Sequence, residues 1–213
     1  MPSPMVVAPA ALAIISGGMA IVFNAKGLRG LFYIFKPLTL ALIILVAFLG
    51  KMPLTAAYKA FILAGLVCSL AGDVFLMLAE KYFPAGLASF LAAHVFYILA
   101  FRSGAAHPLS VALLLPFGVF GLLIFRTLAP SLGRLKLPVF VYTAAITVMA
   151  YLAADRFIYL GGTPTLLALA GAILFLTSDS VLAFNRFLKP LSWAQVVILG
   201  TYFPAQLLIA LSI

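Results

Sequence analysis

Two aspartates stand inside apolar sequence, Asp73 in AGDVFLML and Asp179 in TSDSVLAF, in a chain with only four acidic residues. A carboxyl group within a membrane span costs about 2.5–3.5 kcal/mol on insertion scales, so it faces a bundle interior or a wet cavity and marks a functional site by default. Two such groups brought together in a low dielectric share one proton near neutral pH, which supplies an acid and an anion at once. That combination suits reactions in which one carboxyl donates a proton while the other steadies a cation or orients water. The plainer alternative is helix packing, each aspartate bonded to a polar neighbour beside the small face of Gly65, Ser69 and Gly72.

Other polar side chains gather at helical spacing. The stretch GLASFLAAHVFYILAF puts Gly86, Phe90, His94, Tyr97 and Phe101 on one face. His94 falls near mid-span, where it is either a satisfied packing residue or a group that orients water. Gln195, Tyr202 and Gln206 share a face of the last apolar segment, where Pro204 loosens the backbone ladder. Tyr142, Thr143, Ser178 and Asn185 add further polar groups. Lys36, about one turn inside the second segment, reads as a snorkelling lysine, a cation for a lipid phosphate, or a partner for an aspartate. Most of these groups fall toward one leaflet, which predicts a cavity opening on that side.

Glu80 and Asp155 fall at helix ends and are expected in water, and His107 is expected to be inert in a loop. The single cysteine, Cys68, excludes an internal disulfide and a cysteine metal cluster and reads as a small packing residue. HExxH, GxSxG and P-loop motifs are absent, no serine has an evident histidine base, and the two histidines lie far apart, so neither a metal nor a cofactor is expected.

The elements that must position these residues follow from composition. The chain is 66% hydrophobic and 8% charged with mean hydropathy +1.29, beyond any ordinary soluble domain. Charge and Pro/Gly punctuation divide it into eight apolar segments, near 5–23, 31–49, 58–79, 84–102, 108–126, 135–154, 163–184 and 192–212, each long enough to cross a hydrocarbon core. This predicts an all-α polytopic membrane protein, one eight-helix domain over 1–213, with short connections that make successive helices antiparallel neighbours. No basic residue precedes the first apolar stretch, which reads as a retained span.

Net charge is +9, but the cations sit singly or in pairs between apolar runs, as topology determinants and headgroup anchors; no nucleic-acid module is visible. Lys26, Arg29, Lys36, Lys81, Arg126, Arg134, Lys136, Arg186 and Lys189 lie toward one side, and Lys51, Lys59, Arg102 and Arg156 toward the other. The positive-inside rule then puts the larger group in the cytoplasm and both termini outside, in keeping with a bacterial inner membrane. AGDVFLML and TSDSVLAF, each near the same end of the third span of a four-span half, hint at a duplication of parallel halves.

AGDVFLML, FPAGLASFLAAHVFYILAF, SDSVLAFNRF and TYFPAQLLIA, in this order and with KP near the start of the second span, resemble the lysoplasmalogenase family of integral membrane proteins, the YhhN type. The resemblance covers nearly the whole chain. It implies an eight-helix membrane hydrolase that cleaves the vinyl ether of a lysophospholipid, giving a fatty aldehyde and glycerophospho-ethanolamine or -choline. Its motif positions fall on Lys36, Asp73, Gly86, Phe90, His94, Tyr97, Tyr142, Ser178, Asp179, Asn185, Tyr202 and Gln206. On this reading Asp73 and Asp179 are the acid and the anion, with neither order assigned. His94, Tyr97 and Tyr202 orient water or the departing oxygen. Lys36 meets the headgroup phosphate, Tyr142, Ser178, Asn185 and Gln206 contribute to the substrate site, and Phe90 lines the chain. The rival expectation is a proton-coupled small-molecule or lipid transporter that uses the same aspartates.

Overall fold

In the computed structural model, which describes residues 4–51, 55–104 and 107–213, the chain forms eight α-helices. They are α1 Pro4–Ala25, α2 Arg29–Leu49, α3 Ala56–Met77, α4 Phe83–Arg102, α5 Val111–Leu128, α6 Lys136–Leu160, α7 Gly162–Phe187 and α8 Ala194–Leu211. All eight are long and apolar enough to cross a membrane. Local sequence accounts for several boundaries. The Thr55 hydroxyl accepts the Tyr58 N–H at 3.1 Å and caps α3. Pro84 opens α4, where its missing N–H costs nothing. The tight turn from α6 into α7 runs through Gly161 and Gly162 at φ +63° and +83°, a region open to glycine at no steric cost.

Seven helices close into a ring in the order α1, α2, α3, α4, α6, α7, α8, with α8 leaning inward to touch α2 and α3. α5 stands outside this ring against α6 and buries only Leu128 fully. The expectation that every successive pair packs side by side therefore fails at α4 and α5, since α5 packs on the outer face of α6. The small face of α3 is used against α4. A Cβ at Gly72 would lie 2.7 Å from the Phe90 ring, and one at Gly65 would run into Tyr97. In α7, a Cβ at Gly171 would come 2.8 Å from the Ala205 carbonyl oxygen of α8. Small residues thus bring backbones together where hydrocarbon offers no hydrophobic drive between helices.

Asp155 and Arg156 correct the reading of α6. Both are buried, at 1% and 2% exposure, and the helix continues past them to Leu160. Asp155 Oδ1 accepts the Ser110 N–H at 2.8 Å and so holds the start of α5. Arg156 donates to the carbonyls of Phe101 and Ser103 at 2.8 and 2.9 Å, and its guanidinium lies 4.9 Å from the Tyr58 ring. His107 is likewise tied in, stacked on Tyr159 with ring centroids 4.2 Å apart. Helix ends in a membrane protein still need partners for their last carbonyls, and this arginine supplies them for α4. Arg156→Met is expected to destabilise the fold by about 1–3 kcal/mol through those orphaned carbonyls, read as a lower thermal midpoint in detergent.

Candidate functional site

The ends of α2, α3, α7 and α8 that carry the larger group of basic residues enclose a polar cavity of about 480 Å³. Its deep wall holds Lys36, Asp73, Phe90, Ser178, Asp179 and Tyr202, and its rim holds Asn24, Arg29, Tyr33, Asn185, Arg186 and Gln195. The crowding of polar residues toward one end of the helices thus becomes a single hollow. Both aspartates line it.

The two carboxyl groups have different company. Asp73, with a side chain 2% exposed, pairs with Lys36 Nζ at 2.9 Å through Oδ1 and accepts the Tyr202 hydroxyl at 2.9 Å through Oδ2. Three helices, α2, α3 and α8, meet in this cluster. One turn further along α8, Gln206 Oε1 accepts the Tyr97 hydroxyl at 2.7 Å. Tyr97 and Gln206 are both fully buried and stand behind Tyr202 rather than on the cavity wall. Ser178 is also turned to structural use, its hydroxyl donating to the Ile198 carbonyl of α8 at 3.0 Å.

Asp179 has no lysine or arginine partner among the described residues. Its Oδ2 accepts the Tyr142 hydroxyl, and His94 Nε2 lies 3.8 Å away, outside hydrogen-bond range. His94 is fully buried with neither ring nitrogen hydrogen-bonded, edge-on to Tyr142 at 5.0 Å and tilted against Phe175 at 4.8 Å. It backs Asp179 without reaching the polar cavity. In front of Asp179 a second, narrow and apolar cleft runs between α4, α5, α6 and α7, lined by Leu87, Phe120, Ile124, Val139 and Leu176. Asp179 and Phe90 belong to the walls of both hollows. Phe90 is held edge-on by Phe175 and Tyr202, with centroids at 6.3 and 5.9 Å.

Of the residues singled out from sequence, Lys36, Asp73, Phe90, Ser178, Asp179, Asn185 and Tyr202 line the polar cavity; Tyr142 lines the apolar cleft; His94, Tyr97 and Gln206 lie behind these walls. Sequence reading gave Arg29 and Arg186 only the general role of topology determinants and headgroup anchors; both stand on the cavity rim. Arg186 is joined there to Glu80 and lies over the Phe83 ring at 4.8 Å, so Glu80, although 80% exposed in its side chain, is paired. Nothing in a lone loop-end arginine distinguishes a rim residue from a topology determinant. Among the described residues no cluster of three or more His, Cys, Asp or Glu could hold a metal ion.

Comparison with known proteins identifies the family. The YhhN family model matches residues 31–213. Human lysoplasmalogenase TMEM86B is 36% identical over 174 residues, covering 81% of this chain and 72% of the relative. Human lysoplasmalogenase TMEM86A is 35% identical over 156 residues, 71% of this chain and 64% of the relative. The uncharacterized membrane protein YhhN of Escherichia coli O6:H1 is 27% identical over 181 residues, 85% and 86% of the two chains. No solved structure matches the chain. With a family match over most of its length and relatives above one-third identity, this eight-helix protein belongs to the YhhN family.

Proposed function

We propose that the protein hydrolyses the vinyl ether bond of lysoplasmalogen, or of a closely related single-chain lysolipid, to a fatty aldehyde and a glycerophospho-base. The names of the TMEM86 relatives support the activity. The observation that carries the mechanism is the position of Asp179 in the wall between a polar cavity and an apolar cleft. A lysoplasmalogen has its reactive bond at the junction of a polar headgroup and one hydrocarbon chain. With the headgroup in the cavity and the chain in the cleft, that junction lies at Asp179.

The chemistry is then short. The Asp179 carboxylic acid gives its proton to the alkene carbon distal to the ether oxygen, leaving an oxocarbenium ion. Water adds to the cationic carbon and returns a proton to Asp179; the hemiacetal collapses to aldehyde and alcohol. The Tyr142 hydroxyl engages Oδ2 and leaves Oδ1 as the oxygen that carries the proton. Phe90 and the cleft exclude water from the chain, so that the cation meets a limited supply. Asp73, already committed to Lys36 and Tyr202, acts as a fixed anion on the opposite wall that stabilises the developing positive charge. By the positive-inside rule the polar cavity opens to the cytoplasm and both termini lie outside, in a bacterial inner membrane.

The test is turnover of lysoplasmalogen by the purified protein in detergent made with D₂O, with the aldehyde trapped at once by reduction. One deuterium at the carbon adjacent to the carbonyl is expected, and the saturated 1-alkyl analogue is expected to remain intact. Absence of aldehyde, together with lipid or proton movement in vesicles, would assign the aspartates to a carrier instead.

A further inference from the structure

The polar cavity has an uneven charge balance, and what it would take up follows from that balance together with the lysolipid reading above, on which this inference rests. Three cations line it: Arg29, Lys36 and Arg186. Lys36 is spent on Asp73 at 2.9 Å, and Arg186 is spent on Glu80. The two remaining acids of the chain are Asp155, held at the opposite end of the bundle against Ser110, and Asp179, whose bond is to Tyr142. Arg29 is therefore the one cation on the wall with no acidic partner among the described residues. It sits seven residues before Lys36 on the same face of α2, about 10 Å nearer the rim.

Across the cavity, Asn185 stands six residues beyond Asp179 on α7, about 9 Å nearer the rim. Its Oδ1 accepts the Leu191 N–H at 2.8 Å, which fixes the carboxamide and leaves its Nδ2 hydrogens for the cavity. A guanidinium and an amide donor thus both stand on the cavity wall rimward of its deep residues, with no side-chain acceptor of their own among the described residues. An acceptor-rich monoanion suits them, and a guanidinium meets phosphate oxygens in pairs.

We propose that Arg29, assisted by Asn185, holds the phosphodiester of the lysolipid headgroup, which makes phosphate a requirement for tight binding and relieves Lys36 of that task. The glycerol carbons separate the phosphate from the vinyl ether by a few ångström, and the long arginine side chain reaches inward over the rest. Binding at the rim sets how deep the lipid sits and so aligns the ether with Asp179.

The experiment compares wild type, Arg29→Gln and Arg29→Lys on paired lipids with and without phosphate. In detergent, calorimetry measures binding of uncleavable 1-alkyl-lysophosphocholine and of 1-alkylglycerol. Arg29→Gln is expected to weaken the first about tenfold relative to the second, and Arg29→Lys to recover part of the loss. In turnover, the ratio of kcat/KM for lysoplasmalogen over 1-alkenylglycerol is expected to fall by the same factor, through KM. Equal loss on both lipids, or loss on neither, overturns the assignment. Competition by inorganic phosphate in the concentration range of the lysolipid also overturns it, in favour of a free-anion site. If wild type releases no aldehyde while the binding difference stands, the hydrolase reading fails and the Arg29 assignment survives.

Discussion

Asp179→Asn is expected to lower aldehyde release about 10²- to 10⁴-fold, the range that a positioned general acid contributes. The amide keeps the shape and can still accept the Tyr142 hydroxyl, so binding of the uncleavable alkyl analogue should persist while turnover is lost. Purified variant and wild type, compared for initial rate and for analogue affinity, give the answer directly. A loss confined to affinity would move Asp179 from chemistry to substrate positioning. The size of the effect rests on one structural fact: no second carboxyl among the described residues stands in the shared wall of the two hollows, because Asp73 lines only the polar cavity and is already tied to Lys36 and Tyr202.

The second large effect concerns that tie. Lys36 and Asp73 have side chains 10% and 2% exposed, at 2.9 Å separation. Removing one member of a buried pair strands the other charge and typically costs about 3–5 kcal/mol, whereas replacing both by apolar residues of similar volume is often neutral. Lys36→Met and Asp73→Leu should each lower the thermal midpoint in detergent markedly, and the double variant should recover most of the loss. Activity should separate from stability in this cycle. On the proposed mechanism the double variant lacks the fixed anion that would face the oxocarbenium ion, so its turnover is expected to remain low. Full recovery of turnover in the double variant would make the pair a structural device only.

Several features were legible before any coordinates. The eight helices follow from apolar run length against bilayer thickness, and their observed bounds lie within a few residues of the predicted ones at most ends. Asp73 and Asp179 stand out because a carboxyl at depth is rare and costly. The placement of Asp155 did not follow, since a sequence shows that a charge lies near a helix end but not that a neighbouring loop folds over it; here the start of α5 does so through Ser110. The small face of α3 pointed to close packing, yet which helix it meets, α4, depends on the three-dimensional order.

The sequence by itself determined the solvent this protein folds in, the number of its helices, and the two carboxyl groups that lie at depth within its spans, because those depend on local hydropathy and on the cost of burying charge. Only the tertiary structure decided which cation neutralises which acid, that Tyr97, His94 and Gln206 support the walls rather than form them, and that Asp179 alone of the two aspartates borders both a polar and an apolar hollow. Those outcomes depend on which helix faces turn toward one another. Pairing across helices is set by the packing of small residues and the ring order of the bundle, information that no single segment carries.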